Sequence, residues 1–435
     1  MKRKIHWGRI VALGFGLTLV ASFLFAAKIL NRFRDKSTSL GDVISGIRNP
    51  RGQFPNQTNL TLLLIGQDYN HDKRGYQSSV GTRADTIMLL SVNLDKKEIR
   101  ACSIPRDSYV MAPDGKTGKI NATFTRGGPQ LLKKTIEGLF DLKIDNYFVI
   151  KADAVRNIVD SIGGVEVETL DAMNYDDNWG GLHVHLPAGR QQVDGKGAEG
   201  FVRFREVNRY RILENNTIVP LPNVQHSKEE GDVRRMARQQ QLIQALVRAA
   251  NSPSNMLKAD SIIETGFNQL QTDLPRLKCL ALATLFKGTS NGSMVSGIVP
   301  GVDAKKAGVY FYVIDKVRAK DTINWIIRGD DSAAKRLVRI GIKNGTKVQG
   351  AAKSLVDKLT KEGYTASSQG NAAATPVTLI AYQKASFISL AKQIQRMVGV
   401  ASIGKSPAVD AKLPDIEIII GEDFARKLSV SPKAK

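Results

Sequence analysis

Residues 83–107 read RADTIMLLSVNLDKKEIRACSIPRD, two apolar-leaning runs separated by a short charged turn. The first run, 84–93, alternates apolar and polar positions, which is typical of a β-strand. The second run, 98–104, ends before Pro105, which cannot donate a hydrogen bond to a sheet ladder. Because the turn at 95–97 is short, we expect the two strands to pair as an antiparallel hairpin. The hairpin then places charged side chains where its strands end.

Strand-like and helix-like patterns alternate on both sides of this hairpin. Strands are predicted at 59–67, 146–151, 165–170 and 309–314, and helices at 130–140, 152–162, 195–202, 232–250, 276–286 and 315–328. Residues 171–197 read mainly as loops, with one short strand at 183–186. Residues 211–230 read as a polar, proline-containing insertion. Together these patterns predict a mixed α/β domain with a central β-sheet over 59–328.

The N-terminal segment reads as a membrane anchor. Residues 1–9 are basic, and the uncharged run that follows would span about 27 Å as a helix, close to the ~30 Å hydrocarbon core. We therefore expect a cytoplasmic N-terminus at 1–9, a transmembrane anchor at 10–30 and a linker at 31–58. A cleaved signal peptide is the alternative, although the run is longer than a usual signal-peptide core.

The C-terminal part has its own pattern. A short, charged segment at 329–336 reads as a linker. Strand, helix, strand, helix and strand patterns follow over 337–428, which predicts a small α/β domain with Gly363 ending its first helix. Residues 429–435 read as a frayed tail.

Composition narrows the choice of partner. Among the 435 residues, 63 Lys and Arg face 41 Asp and Glu, a net charge of +22. Such an excess favours a polyanionic partner: nucleic acid, an anionic membrane surface or a phosphorylated polymer. No helix-turn-helix or zinc-finger spacing is visible and an exported domain would not meet DNA, so nucleic acid is not expected. The two cysteines, Cys102 and Cys279, are predicted to be free thiols, with a disulfide left open.

Two aspartates indicate a metal site. Asp68 and Asp85 each lie beside a strand end, so both side chains can point into one mouth of the sheet. Two carboxylates next to a phosphate ligand are the usual setting for a Mg²⁺ ion that keeps several waters. Taken singly, each aspartate is as well explained as a turn residue.

Arginines gather near the same predicted strand ends and on the helix at 232–250: Arg83, Arg106, Arg203, Arg205, Arg235 and Arg238. Planar guanidinium groups bind phosphate oxygens in a bidentate way. If several of them converge with the two aspartates, a diphosphate bridged by Mg²⁺ is the natural ligand. A solvated basic surface is the alternative for each arginine alone.

The order of these motifs resembles the LytR-CpsA-Psr family over 59–328. The resemblance rests on NLTLLLIGQD (59–68), TRADTIMLLSVN (82–93), CSIPRDSYV (102–110), GKINATFTRGGP (118–129), VDSIGGVEV (159–167), VDGKGAEGFVRFR (193–205) and GDVRRMARQQQ (231–241). The ordered set is specific, whereas any one piece is not. Residues 337–428 resemble the C-terminal domain of LytR-type members, through RIGIKNG and IIIGEDF.

This resemblance implies a single-pass enzyme of the cell membrane with an extracytoplasmic catalytic domain. It would transfer a glycopolymer from a polyprenyl-diphosphate carrier to peptidoglycan, with Mg²⁺ or Mn²⁺ as cofactor. The partners it implies are this lipid-linked glycopolymer, peptidoglycan and the membrane. The long loop from Asp68 to Asp85 and the insertion after Arg205 depart from the family pattern.

The resemblance also assigns roles to residues of this sequence. The metal ligands are Asp68 and Asp85. The diphosphate-binding set is Arg83, Arg106, Lys119, Asn121, Arg203, Arg205, Arg235, Arg238 and Gln239. The catalytic residues are Arg106, Asp107 and Asp232, and we rank Asp107 ahead of Asp232 as the base that accepts the sugar hydroxyl proton.

Three other functions remain open: a polyprenyl-diphosphate hydrolase with the same site, a non-catalytic envelope regulator, and a wall-polymer-binding protein. A polyprenyl tail needs an apolar tunnel, for which the helical patterns around 129–140, 155–162 and 276–286 are candidates. Core packing explains the same apolar residues equally well.

Overall fold

The computed structural model describes residues 42, 45–46, 48–67, 70–71, 77–78, 82–177, 182–205, 208–212, 218–226, 231–250, 252, 255, 265, 270–286, 295–306, 308–383, 387–399, 401–406 and 413–430. Across these ranges, no helix combines the length and apolar character needed to cross a membrane. The segments predicted as the cytoplasmic N-terminus (1–9) and the anchor (10–30) lie outside the described residues, as does the start of the linker.

The strands are β1 (Asn59–Gln67), β2 (Asn70–His71), β3 (Gln77–Ser78), β4 (Ala84–Asn93), β5 (Glu98–Ser103), β6 (Tyr109–Met111), β7 (Thr117–Lys119), β8 (Asn146–Lys151), β9 (Val165–Thr169), β10 (Met173–Asp177), β11 (Leu182–Leu186), β12 (Gly189–Val193), β13 (Asn208–Ile212), β14 (Ile218–Gln225), β15 (Leu270–Thr272), β16 (Val295–Ile298), β17 (Gly301–Lys306), β18 (Val309–Ile314), β19 (Arg339–Asn344), β20 (Thr365–Asn371), β21 (Leu379–Tyr382), β22 (Ser402–Lys405) and β23 (Ile416–Ile420).

The helices are α1 (Asn121–Phe140), α2 (Ala152–Ile162), α3 (Gly195–Arg203), α4 (Asp232–Ala250), α5 (Arg276–Phe286), α6 (Lys316–Ile326), α7 (Asp331–Leu337), α8 (Ala351–Lys361), α9 (Ile388–Val398) and α10 (Glu422–Val430). Helix α1 begins before the predicted start and is broken at Gly127 and Gly128, whose backbone angles are not helical.

A six-stranded sheet in the order β15-β8-β1-β4-β5-β16 forms the centre of the predicted catalytic domain. β4 and β5 pair in antiparallel fashion, which confirms the hairpin predicted from 83–107. β1 runs antiparallel to β4 and parallel to β8. The sheet is therefore mixed, and the prediction of a mixed α/β fold with a central sheet is confirmed.

Helices cover the central sheet on two sides because apolar residues of β1 point both ways. Leu63 packs in one cluster with Leu132 and Ile136 of α1. Leu62, its neighbour in the chain, lies in a second cluster with Leu285 of α5. Neighbouring side chains of a strand point to opposite faces, so the sheet is sandwiched between these clusters. Each fully buried Leu or Ile contributes about 1.5–3 kcal/mol.

One expectation about loops was wrong, and the predicted insertion contains a hairpin. Residues 171–197 contain three strands (β10, β11 and β12), not one. The alternation of these strands is short and the outer positions are polar, so the buried apolar residues Met173, Val184, Leu186 and Val193 alone mark the inner face. Residues 211–230, expected as an insertion, hold most of the β13–β14 hairpin. Prolines are tolerated in β14 because, among the described residues, β14 pairs with β13 alone and has one unpaired edge.

The C-terminal domain forms a five-stranded sheet in the order β20-β19-β23-β21-β22. Its three predicted strands and two predicted helices are present, and Gly363 follows α8 with a φ of 85°. β20, β22 and α10 were not predicted; β20 (TASSQGN) is mostly polar and exposed, so it shows no apolar alternation. Helix α10 extends into the segment predicted as the tail.

The segment predicted as the 329–336 linker contains helix α7. Asp330 caps it by accepting a hydrogen bond from the Ser332 backbone, a signal that the charged composition concealed. Beside it, Trp325 of α6 stacks on Phe387 with ring centroids 5.7 Å apart. The two parts of the chain therefore share apolar packing, and the division between them at 329–336 stays a prediction.

Candidate active site

The β4–β5 hairpin brings Asp85 and Arg106 together. Asp85 is the second residue of β4. β5 ends at Ser103, and Arg106 follows three residues later, directly after Pro105. Arg106 Nη1 donates a hydrogen bond to Asp85 Oδ1 at 2.6 Å, and the two side chains are 18% and 27% exposed. The structure thus joins two of the charged clusters that the sequence indicated.

Helix α4 contributes a third group of polar side chains to the site. Arg235 is buried, and its Nη2 donates to the backbone oxygen of Asp85 at 3.3 Å. Gln239 lies one turn further along the helix, and its Nε2 is 3.5 Å from the Val202 backbone oxygen. Residues four apart lie on one face of a helix, so Arg235 and Gln239 both face the end of the sheet.

Arg203 lies in the last turn of α3. Its Nη1 donates to Glu199 Oε1 at 2.9 Å, and Arg156 Nε lies 3.0 Å from the other carboxylate oxygen of Glu199. Glu199 is buried, so two guanidinium groups neutralise a carboxylate that would otherwise be costly to desolvate. Arg205 follows just beyond the helix, and its backbone oxygen accepts from Gly231 at 2.9 Å.

Arg238 is placed differently from the other predicted phosphate ligands. It is only 2% exposed, and its Nε donates to the Phe201 backbone oxygen at 2.6 Å while its Nη2 donates to that of Phe204. Its guanidinium also lies against the Phe201 and Phe204 rings. Carbonyls at the end of a helix lack intrahelical partners, so Arg238 holds the C-terminus of α3 onto α4.

Asp107 lies next to Arg106 and points to another partner. Lys119 Nζ lies 2.8 Å from Asp107 Oδ1, whereas Arg106 Nε lies 3.8 Å from Asp107 Oδ2. Asn121 is buried, and its backbone nitrogen donates to the Arg106 backbone oxygen at 3.1 Å. This group therefore fixes the turn that carries Arg106.

The remaining predicted site residues fall into two groups. Arg83 is described, and its side chain is exposed at the start of β4. Asp68 lies outside the described residues, and so does the side chain of Asp232. Their roles stay predictions.

A cavity of about 400 Å³ lies where these elements meet. Its charged and polar lining includes Gln67, Asp85, Arg106, Lys151, Asp177, Glu199, Arg203, Arg205, Arg235 and Gln239. Its apolar lining includes Leu64, Met88, Ile150, Val155, Leu182, Val202, Phe204, Leu242, Ile243 and Leu246. Arg83, Asp107, Lys119, Asn121 and Arg238 are not part of this lining.

One face of α4 changes from polar to apolar along this cavity. Arg235 and Gln239 are followed on the same face by Leu242 and Leu246. At 1.5 Å per residue, the apolar wall extends roughly 16 Å from Arg235. The strands add Leu64 and Met88, which pair directly across β1 and β4. The cavity therefore suits a ligand with an anionic head and an apolar chain.

The expected source of the apolar wall was partly wrong. Of the three proposed segments, only 155–162 reaches the cavity, through Val155. Leu132 and Ile136 of α1 pack in the core instead, as does Leu285 of α5. Apolar periodicity marks a buried face but does not distinguish a core from a cavity, which explains the difference.

The sequence did not indicate the lining residue Glu199 or the supporting residue Gln240. Glu199 precedes Arg203 by one helical turn, a spacing that could have indicated the pair. Gln240 is buried and supports the site from beneath: its Nε2 donates to Ser103 Oγ at 2.9 Å and to the Gly297 backbone oxygen at 2.8 Å. Nothing in its local sequence distinguishes Gln240 from the neighbouring glutamines.

The described residues supply one of the two predicted Mg²⁺ ligands. Asp85 lines the cavity, whereas no group of three His, Cys, Asp or Glu suited to a metal occurs in the described part of the chain. Mg²⁺ commonly binds through one or two carboxylates together with substrate phosphates and waters. An Asp85 carboxylate at the arginine-lined end of the cavity fits that donor set.

Comparison with known families identifies two matching regions. The sequence model of the LytR_cpsA_psr family matches residues 28–211 and 223–326. A second model, described as LytR cell envelope-related transcriptional attenuator, matches residues 337–424. The first match covers more than half of the chain, including the whole hairpin and α4.

Curated relatives carry related names. The chain is 30% identical over 261 residues to the polyisoprenyl-teichoic acid–peptidoglycan teichoic acid transferase TagU of Oceanobacillus iheyensis, covering 59% of this chain and 71% of that protein. It is 34% identical over 216 residues to the probable cell wall biosynthesis protein LcpB of Corynebacterium glutamicum, covering 48% of this chain and 46% of that protein. The crystal structure of Bacillus subtilis TagV is similar with a TM-score of 0.49 and 21% identity, over 63% of this chain and 98% of that one.

Proposed function

Because this chain belongs to the LytR_cpsA_psr family, we propose that it transfers a glycopolymer from a polyprenyl-diphosphate carrier to peptidoglycan. A relative at 30% identity is named a polyisoprenyl-teichoic acid–peptidoglycan teichoic acid transferase, which supports the reaction class. The identity of the glycopolymer is left open by this proposal.

One observation carries the proposal: the cavity joins a cationic end to an apolar wall. Arg106 and Arg235 lie at one end, and Leu242 and Leu246 continue the same side. A nucleotide or free sugar has no long apolar part to bury against this wall, whereas a polyprenyl chain removes its hydrocarbon surface from water there. Partly buried guanidinium groups are also screened less by salt than surface ones, so they attract a diphosphate strongly.

The proposed reaction exchanges the phosphoanhydride bond of the diphosphate for a new phosphoester bond to peptidoglycan. A hydroxyl oxygen of peptidoglycan attacks the phosphorus that carries the glycopolymer. The bond from that phosphorus to the bridging oxygen breaks, and polyprenyl phosphate leaves with the bridging oxygen. The hydroxyl proton passes to a base. Arg106 and Arg235 would neutralise charge on the diphosphate as the bridge breaks.

The base remains a choice between two aspartates. Asp107 is held by Lys119 and directly follows the lining residue Arg106 in the chain, whereas its own side chain is not part of the cavity lining. Asp232 is at the start of α4, one turn before Arg235. We keep Asp107 ahead, as the sequence indicated.

We also propose Mg²⁺ as the cofactor, held by Asp85 and Asp68. When bound beside the phosphates, the ion would supply further positive charge. The ion pair with Arg106 keeps Asp85 oriented toward the cavity.

We propose a membrane-anchored protein with its catalytic domain outside the cytoplasm. The basis is the apolar run at 10–27 with its basic flank. A reporter enzyme that works only outside the cytoplasm should be active when it is fused after Lys435. A fusion active only in the cytoplasm would contradict this arrangement.

The transfer itself is tested by incubating the full chain with a polyprenyl-diphosphate glycan, with and without peptidoglycan. We expect polyprenyl phosphate release to depend on peptidoglycan, and glycan to appear covalently on the wall polymer. Turnover that ignores peptidoglycan would identify a hydrolase. Absence of turnover with retained glycan binding would favour a wall-polymer-binding protein.

A further inference from the structure

Exposed apolar side chains concentrate on one hairpin. Of the eleven large apolar residues that are exposed in the described part of the chain, six lie on or beside the ribbon formed by β17 and β18: Met111, Val302, Val309, Tyr310, Val313 and Val317. Val302 is 66% exposed and Tyr310 67%. Single exposed apolar residues are ordinary, but a cluster marks an interaction surface.

The register of the β17–β18 ribbon puts several of these residues on one face. Val302 lies opposite Val313, and Val309 lies opposite Lys306. Side chains directly across an antiparallel pair share a face. Val302 and Val313 therefore form an aliphatic pair near the base of the ribbon. Val309 lies on the same face at the tip, with Ala304 and Phe311 between them.

Lysines are held at the same tip by aromatic rings. Lys306 Nζ donates to the Tyr109 hydroxyl at 2.9 Å and lies 4.4 Å from the centre of that ring. On the other face, Lys305 Nζ lies 5.2 Å from the centre of the Tyr310 ring. The tip thus combines an exposed valine, Val309, with an exposed tyrosine and two ammonium groups.

The surrounding charge has the same sign. Between 301 and 320 the sequence has basic residues at 305, 306, 316, 318 and 320 and acidic residues only at 303 and 315. The whole chain carries +22. A negatively charged surface therefore attracts this region.

The ribbon is attached next to the candidate active site. Tyr312 N donates to the Asp107 backbone oxygen at 2.9 Å, and Phe311 packs edge-on against Tyr109 with ring centres 5.0 Å apart. Asp107 directly follows Arg106, which lines the cavity. A surface that binds the ribbon would therefore lie beside the charged end of the cavity.

We propose that the β17–β18 ribbon docks onto an anionic lipid surface, as a second membrane contact besides any anchor. Aliphatic and aromatic groups interleaved with lysines are the composition of membrane-interface segments. Protein interfaces are depleted in lysine, which disfavours a protein partner. Valine and methionine offer no hydrogen bonds to a glycan, which disfavours the wall polymer. This inference goes beyond the proposed transfer reaction and does not depend on it.

A tryptophan depth measurement tests the docking. The full chain is reconstituted as Val302→Trp into vesicles that contain brominated phosphatidylglycerol, and the emission of the unsubstituted chain, which has three tryptophans, is subtracted. Val348→Trp is the matched control, because Val348 is also an exposed valine (42%) but lies in the C-terminal domain. We expect a blue shift and bromine quenching for Val302→Trp and neither for Val348→Trp.

Charge and alternative occupants are tested in the same setting. Adding Lys305→Glu and Lys306→Glu to the Val302→Trp chain should reduce the quenching, and so should replacing phosphatidylglycerol by phosphatidylcholine. Equal quenching at 302 and 348, or none at 302, would overturn the proposal. A shift at 302 that appears only with peptidoglycan fragments would also overturn it and assign the ribbon to the acceptor. Whether the chain stays bound to the vesicles is measured separately, because retention depends on the N-terminal anchor as well as on the ribbon.

Discussion

Replacing Arg106 by Ala should abolish most of the transfer activity while leaving the fold intact. The residue contributes one charge-assisted hydrogen bond to Asp85 at 2.6 Å and one guanidinium to the cavity lining. A hydrogen bond to a charged group contributes about 1.5–3 kcal/mol. If the transition state loses that interaction with a phosphate oxygen, kcat/KM should fall roughly tenfold to 150-fold.

The chain offers a matched control for this change. Arg126 Nε pairs with Asp114 at 2.8 Å, with side chains 24% and 26% exposed, and neither residue lines the cavity. Arg126→Ala removes an ion pair of similar geometry, so both variants should unfold at similar urea concentrations. Only Arg106→Ala should lose activity.

The assay compares the two variants in peptidoglycan-dependent transfer and in urea unfolding. Full transfer by Arg106→Ala would refute its placement at the reacting diphosphate. An equal loss of transfer in Arg126→Ala would show that the effect follows stability and not the cavity.

Three further predictions concern groups around the site. Arg238→Met should lower the free energy of unfolding by about 2–5 kcal/mol, because it leaves two buried carbonyls without their hydrogen-bond donor. Unchanged stability together with lost binding of the lipid-linked glycopolymer would instead support Arg238 as a phosphate ligand. Burial raises the pKa of Cys102 to about 12, so iodoacetamide at pH 8 should modify the half-buried Cys279 and should modify Cys102 only after urea is added. Equal labelling of both cysteines in the folded chain would contradict the burial of Cys102. Burial raises the pKa of Asp176, but hydrogen bonds with the two histidines of β11 outweigh it and leave the pKa below its usual 3.8. The ionised form therefore stabilises the fold above about pH 4. Asp176→Asn should be less stable at pH 7, by about 1 kcal/mol, and the difference should shrink as the pH falls below 4; a difference independent of pH would contradict this.

The sequence predicted the centre of the fold well because its strands are long and apolar. β1, β4 and β5 alternate or run apolar over six to ten residues, and the turn at 95–97 restricts how β4 and β5 can pair. The charged residues at the ends of such strands must then lie close together. The contact of Arg106 with Asp85 follows directly from that register.

The sequence could not distinguish cavity from core. Arg235 and Arg238 both belong to a basic helix, yet Arg235 lines the cavity and Arg238 caps α3 from a buried position. The difference depends on where α3 ends, which is a tertiary fact. Likewise, Leu242 and Leu132 occur in equally apolar helical patterns, but only Leu242 faces the cavity. The short strands around 173–193 were not predicted because their exposed positions are polar.

A structure of the chain with polyprenyl diphosphate and Mg²⁺ tests the central claim most directly. We predict diphosphate oxygens within hydrogen-bond distance of Arg106 and Arg235, the ion at Asp85, and the polyprenyl chain along Leu242 and Leu246. A diphosphate bound elsewhere, or a lipid chain that leaves this wall of α4 empty, would contradict the account.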